Sequence, residues 1–345
     1  MIRYPSKIEN ESQLEDLLSI PIPEVVASFS KQEGDLIVLG VGGKIGPSLA
    51  RMAKRACEKT GLNRRIIGVS LFDSEEIRSV LEKAGIETIH GDLLDWEFLQ
   101  SLPSVKNVIY MAGMKFGSTE NLPLTWATNS YLPAKVAEKY RNSKIVAFST
   151  GCVYPLVPAQ SGGSVESDPP EPIGEYAQSC LGRERMFEFF SKKYKTPVAL
   201  IRLNYAVEMR YGVLVDIALK VNNNLPVDLT MGFVNVIWQG DVNAMVLRSL
   251  DICETPAKIL NITGPETLSV RQLAQRFGEL FKRKPNFIGQ ESDTALLSNA
   301  SLSHRLFGNP QVSSEKMIHW TADWIKNKRR LLDKPTHFEV KDGKY

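Results

Sequence analysis

Asp35-Leu-Ile-Val-Leu-Gly-Val-Gly-Gly-Lys-Ile-Gly46 decides the reading of this chain. Leu36 to Leu39 is an unbroken apolar run of strand length, as a strand buried on both faces requires. Glycines follow at 40, 43 and 46, and Pro47 to Lys59 carries helical spacing. A strand, a glycine turn and a helix in that order build a phosphate site. One glycine permits the tight turn, one lets backbone approach a pyrophosphate, and one lets helix and strand pack closely. The helix amino terminus adds free N–H groups and the positive end of its dipole. The stretch predicts a dinucleotide pyrophosphate held by Gly40, Gly43, Lys44, Ile45 and Gly46. A P-loop is excluded, because Ile45 follows Gly43-Lys44 and Val38 stands where the first P-loop glycine would be. The competing reading is a purely structural turn.

Outward from this loop, strands and helices alternate. Arg65–Phe72, Glu87–His90, Val105–Met111, Ser143–Ser149 and Val198–Leu203 read as further strands, six in all with the first. Ser74–Ala84, Thr125–Arg141 and Gly174–Lys193 read as helices between them. Such alternation means βαβ units and a parallel sheet, so the fold class is α/β, a Rossmann-type doubly wound sheet over residues 34–205. The Pro-, Gly- and Ser-rich stretch Pro155–Pro172 is long for a compact domain and marks a functional loop or lid. Beyond residue 205 the alternation weakens. Helices at Leu268–Phe281 (capped by Ser269 or Thr267) and Ser313–Arg329 predict a smaller α/β substrate lobe over residues 206–330. Residues 1–33 form an appended arm in which Glu9–Ile20 is helical and Pro21 and Pro23 close the helix. Residues 331–345 are a tail of unassigned role.

The composition is that of an ordinary globular protein: 345 residues, 43% hydrophobic, 23% charged, net charge +3. That balance, with no basic stripe and no amphipathic anchor, gives no case for nucleic acid or a membrane surface. The apolar runs fall far short of the ~20 residues of a spanning helix. Cys57, Cys152, Cys180 and Cys253 show no metal or disulfide spacing, and the four histidines are dispersed. The expectation is a reduced, cytoplasmic protein without a metal.

The spacing Gly-x-x-Gly-x-x-Gly resembles that of the extended short-chain dehydrogenases/reductases, the NAD-dependent epimerase/dehydratase type. The resemblance runs from about Asp35 to Trp324. Gly91-Asp-Leu-Leu-Asp95 is similar to the family's adenine segment, which implies cofactor contacts at Asp92 and Leu93. Tyr110-Met-Ala-Gly-Met-Lys-Phe-Gly117 resembles the "AGLKAVG" stretch of UDP-galactose 4-epimerases. It implies that Met111, Ala112 and Gly113 pass beneath the cofactor and that Lys115 lies near the phosphates, nicotinamide or substrate. Asn129 matches an asparagine the family places behind the active site. Phe148-Ser-Thr-Gly-Cys-Val-Tyr-Pro155 is similar to "SSxxVYG" and "STDEVYG", which puts Ser149 beside the cofactor and Thr150 on the hydroxyl that positions the substrate oxygen. Arg202-Leu-Asn-Tyr205 resembles the family's Arg-x-x-Asn with Asn204 one residue early, a contact beside nicotinamide or substrate. Val234-Asn-Val-Ile-Trp-Gln-Gly-Asp241 resembles "FIHVDDLA", with Asp241 as a helix cap. Arg210 stands where relatives begin their substrate loops and is a candidate for an anionic group, with a solvated arginine as the alternative.

The family's catalytic pair is Tyr-x-x-x-Lys on one helix face. In Glu175-Tyr-Ala-Gln-Ser-Cys-Leu-Gly182, Tyr176 fits the tyrosine, but Cys180 stands at the lysine. A lysine there holds the nicotinamide ribose and lowers the tyrosine pKa, and a neutral thiol does neither. Three explanations are open: Lys115 or Arg183 supplies the charge, the chemistry needs a less activated tyrosine, or the protein binds its dinucleotide without turnover. At the second strand's end Ser70 replaces the acidic residue that holds the adenosine ribose in NAD-binding relatives. No arginine follows for a 2′-phosphate, and Asp73 would repel one, so NAD is favoured and NADP stays open. The resemblance implies an NAD(P)-dependent epimerase, dehydratase or oxidoreductase acting on a sugar or nucleotide-sugar hydroxyl. It also implies a homodimer paired through the helices that begin near Thr125 and Gly174.

Overall fold

The computed structural model describes residues 3–72, 74–115 and 117–344. Its centre is a seven-stranded sheet of β1 (Leu36–Leu39), β2 (Ile66–Ser70), β3 (Glu87–His90), β4 (Asn107–Tyr110), β5 (Lys144–Thr150), β6 (Val198–Leu203) and β7 (Lys258–Ile262). The order across the sheet is β7-β6-β5-β4-β1-β2-β3, and every pairing is parallel. All four residues of β1 are buried, which is why the run Leu36–Leu39 shows no alternation. After β3 the chain crosses to the far side of β1, so β1 and β4 flank a switch point with a crevice at their carboxyl ends. This is the doubly wound α/β sheet that the sequence predicts.

Helices cover both faces: α1 (Glu11–Leu18), α2 (Pro23–Lys31), α3 (Gly46–Thr60), α4 (Glu75–Lys83), α5 (Trp96–Ser101), α6 (Leu122–Trp126), α7 (Leu132–Lys139), α8 (Gly174–Tyr194), α9 (Val213–Asn222), α10 (Gln239–Arg248), α11 (Val270–Phe281), α12 (Ser301–Phe307) and α13 (Ser314–Lys326). The helix expected over Thr125–Arg141 is divided, because a π-helical turn at Ala127–Tyr131 joins α6 to α7. Ser269 caps α11 by accepting from the Gln272 N–H. The seventh strand lies outside the six-strand reading. Lys258 and Asn261 interrupt its apolar character, and its register on β6 (Leu260 beside Ile201) is what makes it a strand.

The amino-terminal segment is built into the fold. Pro23 opens α2 at its first turn instead of only closing α1, a position where a missing N–H costs nothing. Leu14, Leu17 and Leu18 of α1 are buried in the lobe core with Trp238, Trp320 and Trp324. Val25 and Phe29 of α2 join the core on the α3 side of the sheet. The stretch 155–172 is docked as well: Val157–Pro158 pairs antiparallel with Thr294–Ala295, and Ser164 bridges to Ser298. The tail crosses the molecular surface and buries Phe338 to 1% exposure in the lobe core.

Candidate active site

The turn after β1 requires glycine for steric reasons. Gly40 has φ +88°, and a Cβ there would lie 2.5 Å from the Ala112 nitrogen. A Cβ on Gly46 would lie 2.2 Å from the Val41 carbonyl oxygen. Gly43 differs, since its Cβ would meet nothing nearer than 3.6 Å and the space above it is open. Ile45 stands at the N-cap of α3 with no side-chain cap and Pro47 follows in the first turn, so backbone N–H groups at this terminus are left for a ligand. Ser70 closes one side, its Oγ 2.6 Å from where a Gly42 Cβ would be. Asp73 lies outside the described residues. Asp92 is exposed and accepts from the Leu94 N–H at 2.9 Å, while Leu93 is buried beneath it. Met111 continues β4 by donating its N–H to Leu39, and Ala112 seats Gly40.

Asn129 sits on the π-helical turn, fully buried, and ties three segments together. Its Oδ1 accepts from the Met114 N–H at 2.9 Å and from Arg183 Nη2 at 2.7 Å. Its Nδ2 donates to the Met114 carbonyl at 2.9 Å and to Ser179 Oγ at 3.0 Å. The loop 113–115 is thereby clamped against α8. Gly113 must be small here, because a Cβ would lie 2.5 Å from Arg183 Nη2. A single extra residue in a helix re-aims the side chains around it, and the π-helical turn does that for Asn129.

Tyr176 stands in the first turn of α8 and lines one cavity with Thr150, at the carboxyl end of β5. Burial pushes the phenol well above its ordinary range and the neighbouring thiols of Cys180 and Cys152 add to that, while Arg183 and the Thr150 hydroxyl pull it down. Cys180 lies one turn on, buried beside Val153 and Tyr154. Burial pushes its thiol up to about 11, so it remains protonated near neutral pH and supplies no charge. Two cations are close. Arg183 lies behind Asn129 and donates to the Phe148 carbonyl at 2.8 Å, with its guanidinium against the Tyr110 ring. Lys115 instead faces the cavity, its Nζ 6.0 Å from the centre of the Tyr176 ring and 3.2 Å from the Thr336 carbonyl that it donates to. Burial lowers its pKa, against the thiols of Cys152 and Cys180.

The cavity holds about 200 Å³ and is lined by the ends of β5 (Ser149, Thr150, Cys152) and β6 (Leu203, Asn204), by Tyr176, Lys115 and Lys44, and by Tyr211, Gln239 and Thr336. Among the described residues, no Asp, Glu or His lines it. Lys44 Nζ lies 3.4 Å above the Tyr211 ring. Burial first, and then Lys115 and Lys334, lower Lys44 to about 7. Asn204 is buried and packs against Gly151. Arg210 does not join the cavity: its guanidinium binds Glu208 at 3.0 Å and Glu15 at 2.6 Å, with Glu11 at 3.5 Å, so it fastens α1 to the lobe. This corrects both the anion-binding expectation and the solvated alternative. Asp241 does not cap its own helix, whose N-cap is Trp238. It accepts from the Val312 N–H instead, and burial raises its carboxyl to about 6.

Residues 36–207 match the model of the NAD dependent epimerase/dehydratase family. The chain belongs to this family. No curated protein matches it. Among solved structures, a UDP-glucose 4-epimerase of Thermus thermophilus, solved with NAD, is similar at 21% identity and TM-score 0.69, over 85% of this chain and 99% of that one. Pal from Bacillus thuringiensis is similar at 19% identity and TM-score 0.70, over 86% and 100%. A dTDP-glucose 4,6-dehydratase of Streptomyces venezuelae, solved with NAD, is similar at 17% and 0.72, over 85% and 97%. At these identities the likeness is one of fold.

Within the epimerase/dehydratase frame, several site features escaped sequence reasoning. Ser149, expected at the cofactor, donates to Glu184 at 2.6 Å. Glu184 in turn holds Arg202 in a fully buried pair at 2.7 Å, with the guanidinium against the Tyr154 ring. Glu184 falls one residue after Arg183 in a charged helical run and reads as surface in one dimension. Tyr211 and Thr336 come from the lobe and the tail and match no motif, and Gln239 lies in a family-like stretch that was read only for Asp241. Among the described residues no group of His, Cys, Asp or Glu could hold a metal, and no helix is long and apolar enough to cross a membrane.

Proposed function

We propose that this protein binds NAD along the crevice at the carboxyl ends of β1, β4 and β5 and oxidises, or oxidises and re-reduces, a sugar-like carbinol. The placement of Tyr176 and Thr150 on the wall of one cavity next to the glycine turn carries this reading. The residues suit the cofactor. Open space above Gly43 and the uncapped start of α3 fit a pyrophosphate, and neither Ser70 nor the exposed Leu71 offers a charge for the 2′-phosphate of NADP. NAD, when bound, supplies the hydride acceptor. Thr150 would orient the substrate hydroxyl, and Tyr176 would exchange its proton. Lys115 would supply the positive charge that relatives draw from the helix lysine, since it faces the cavity while Arg183 lies behind Asn129. The absence of carboxylates from the lining favours plain oxidation or epimerisation over dehydration, because eliminating water needs a further acid/base pair.

The opposing observation is the raised tyrosine above a neutral Cys180, which favours a dinucleotide-binding protein without turnover. Calorimetric titration with NAD, followed by 340 nm absorbance with candidate sugars, separates the two. Tyr176→Phe is expected to leave NAD affinity within about twofold and to cut turnover about 10²- to 10⁴-fold. Unchanged turnover sinks the mechanism. A homodimer is part of the proposal, supported by the exposed apolar residues Leu122, Leu124, Trp126, Tyr131 and Phe189 on α6, the π-helical turn and α8.

A further inference from the structure

The tail is held in the cleft at several points. The Leu332 N–H donates to the Arg210 carbonyl at 3.1 Å. Thr336 is buried, and its N–H and hydroxyl both donate to Asp216 on α9, at 2.8 and 2.6 Å. Its carbonyl faces the cavity and accepts from Lys115. Phe338 anchors the next turn in the lobe core, and Glu339 pairs with Lys220 of α9. Gly343 then packs against Ile173 and Gly174, with no room for a Cβ on either glycine, at the start of the helix that carries Tyr176. The tail thus runs from the lobe to α8 and walls one side of the cavity.

The consequence is geometric and rests on the proposed function. A reacting carbinol must sit beside both Tyr176 and the nicotinamide ring. The ring must occupy part of the same space of about 200 Å³. Sites for drug-sized ligands begin at about 300 Å³. On the Lys44 side the space leads to the pyrophosphate turn and is the cofactor's. Toward α9 and the start of α8 lies the tail, which closes the space on that side.

We propose that residues 331–344 are a fixed wall of the substrate site and that the substrate is a single sugar unit, cyclic or open-chain, carrying no nucleotide. The Lys115 amine and the lack of carboxylates among the described lining residues suit an acidic sugar as well as a neutral one.

The test uses the full chain saturated with NAD. Calorimetry with UDP and UDP-glucose is expected to show no binding up to 1 mM. A panel of free aldoses, aldonic acids and uronic acids is expected to contain a member that binds and reduces the bound NAD. Asp216→Ala, which frees Thr336 but keeps Phe338 anchored, is expected to raise KM for that sugar at least fivefold with NAD affinity within twofold. A thermal melt checks that the variant is folded. Binding or turnover of UDP-glucose by the wild type overturns the proposal, and so does a panel in which no single sugar binds. Failure to bind NAD, or turnover indifferent to Tyr176→Phe, instead sinks the underlying functional reading, so the two failures are distinguishable.

Discussion

The glycine turn after β1 and the cavity around Tyr176 are neighbours held by different physics. The turn is largely local: Gly46 is kept small by Val41 and Gly43 meets only Gly40, with Ala112 and Ser70 of the neighbouring strand ends closing on Gly40 and Gly42. The cavity is assembled from β5, β6, α8, the loop after β4, the lobe and a tail residue some 160 positions beyond Tyr176, counting from 176 to 336. On the proposed reading, Lys115, beside the Met114 that Asn129 clamps, stands in for the charge absent from α8.

The largest expected effect tests the local half of this contrast. Gly46→Ala forces a Cβ to 2.2 Å from the Val41 carbonyl, where backbone must give way, so it should abolish dinucleotide binding and lower Tm. Gly43→Ala gives its Cβ only an ordinary contact, 3.6 Å from the Gly40 carbonyl oxygen. It should fold with unchanged Tm and lose NAD affinity about tenfold or more by crowding the pyrophosphate. Equal Tm losses in the two variants would break the distinction between structural and ligand-facing glycines.

A smaller effect tests the assembled half. Lys115→Met keeps length and apolar volume and removes the charge. Turnover should fall about 10- to 100-fold, the equivalent of one to two pKa units on Tyr176, and the pH–rate profile should move to higher pH. A profile that does not move would show that Lys115 only holds Thr336 in place.

The smallest effect concerns Lys44, which starts in the turn and ends in the cavity. Burial, Lys115 and Lys334 lower it to about 7 from 10.5, so between those values the unfolded chain binds more protons than the folded one. Stability should therefore rise with pH across that window. A bound pyrophosphate restores the charge, so NAD binding near pH 8.5 should take up about one proton. Calorimetry in buffers of different ionisation enthalpy measures this, and heats independent of buffer would contradict it.

The turn reads from its own steric logic, whereas Thr150, Tyr176, Lys115 and Asn129 were legible only through the resemblance of short stretches to the family's. Arg210 misled because a charge in a loop says nothing about its partners, and those are Glu208 beside it and Glu11 and Glu15 some 200 residues earlier. The seventh strand was invisible because only its pairing with β6 defines it. The tail looked like a loose end because its one large apolar anchor, Phe338, has no periodicity around it.

By itself the sequence determined the doubly wound sheet and the glycine turn, since strand burial, helix period and glycine geometry act over a few residues, while its resemblance to the family pointed to Thr150 and Tyr176. Only the tertiary structure decided which cation faces Tyr176, what Arg210 holds and what the tail encloses. Those are meetings of segments far apart in the chain, and one-dimensional spacing carries no record of them.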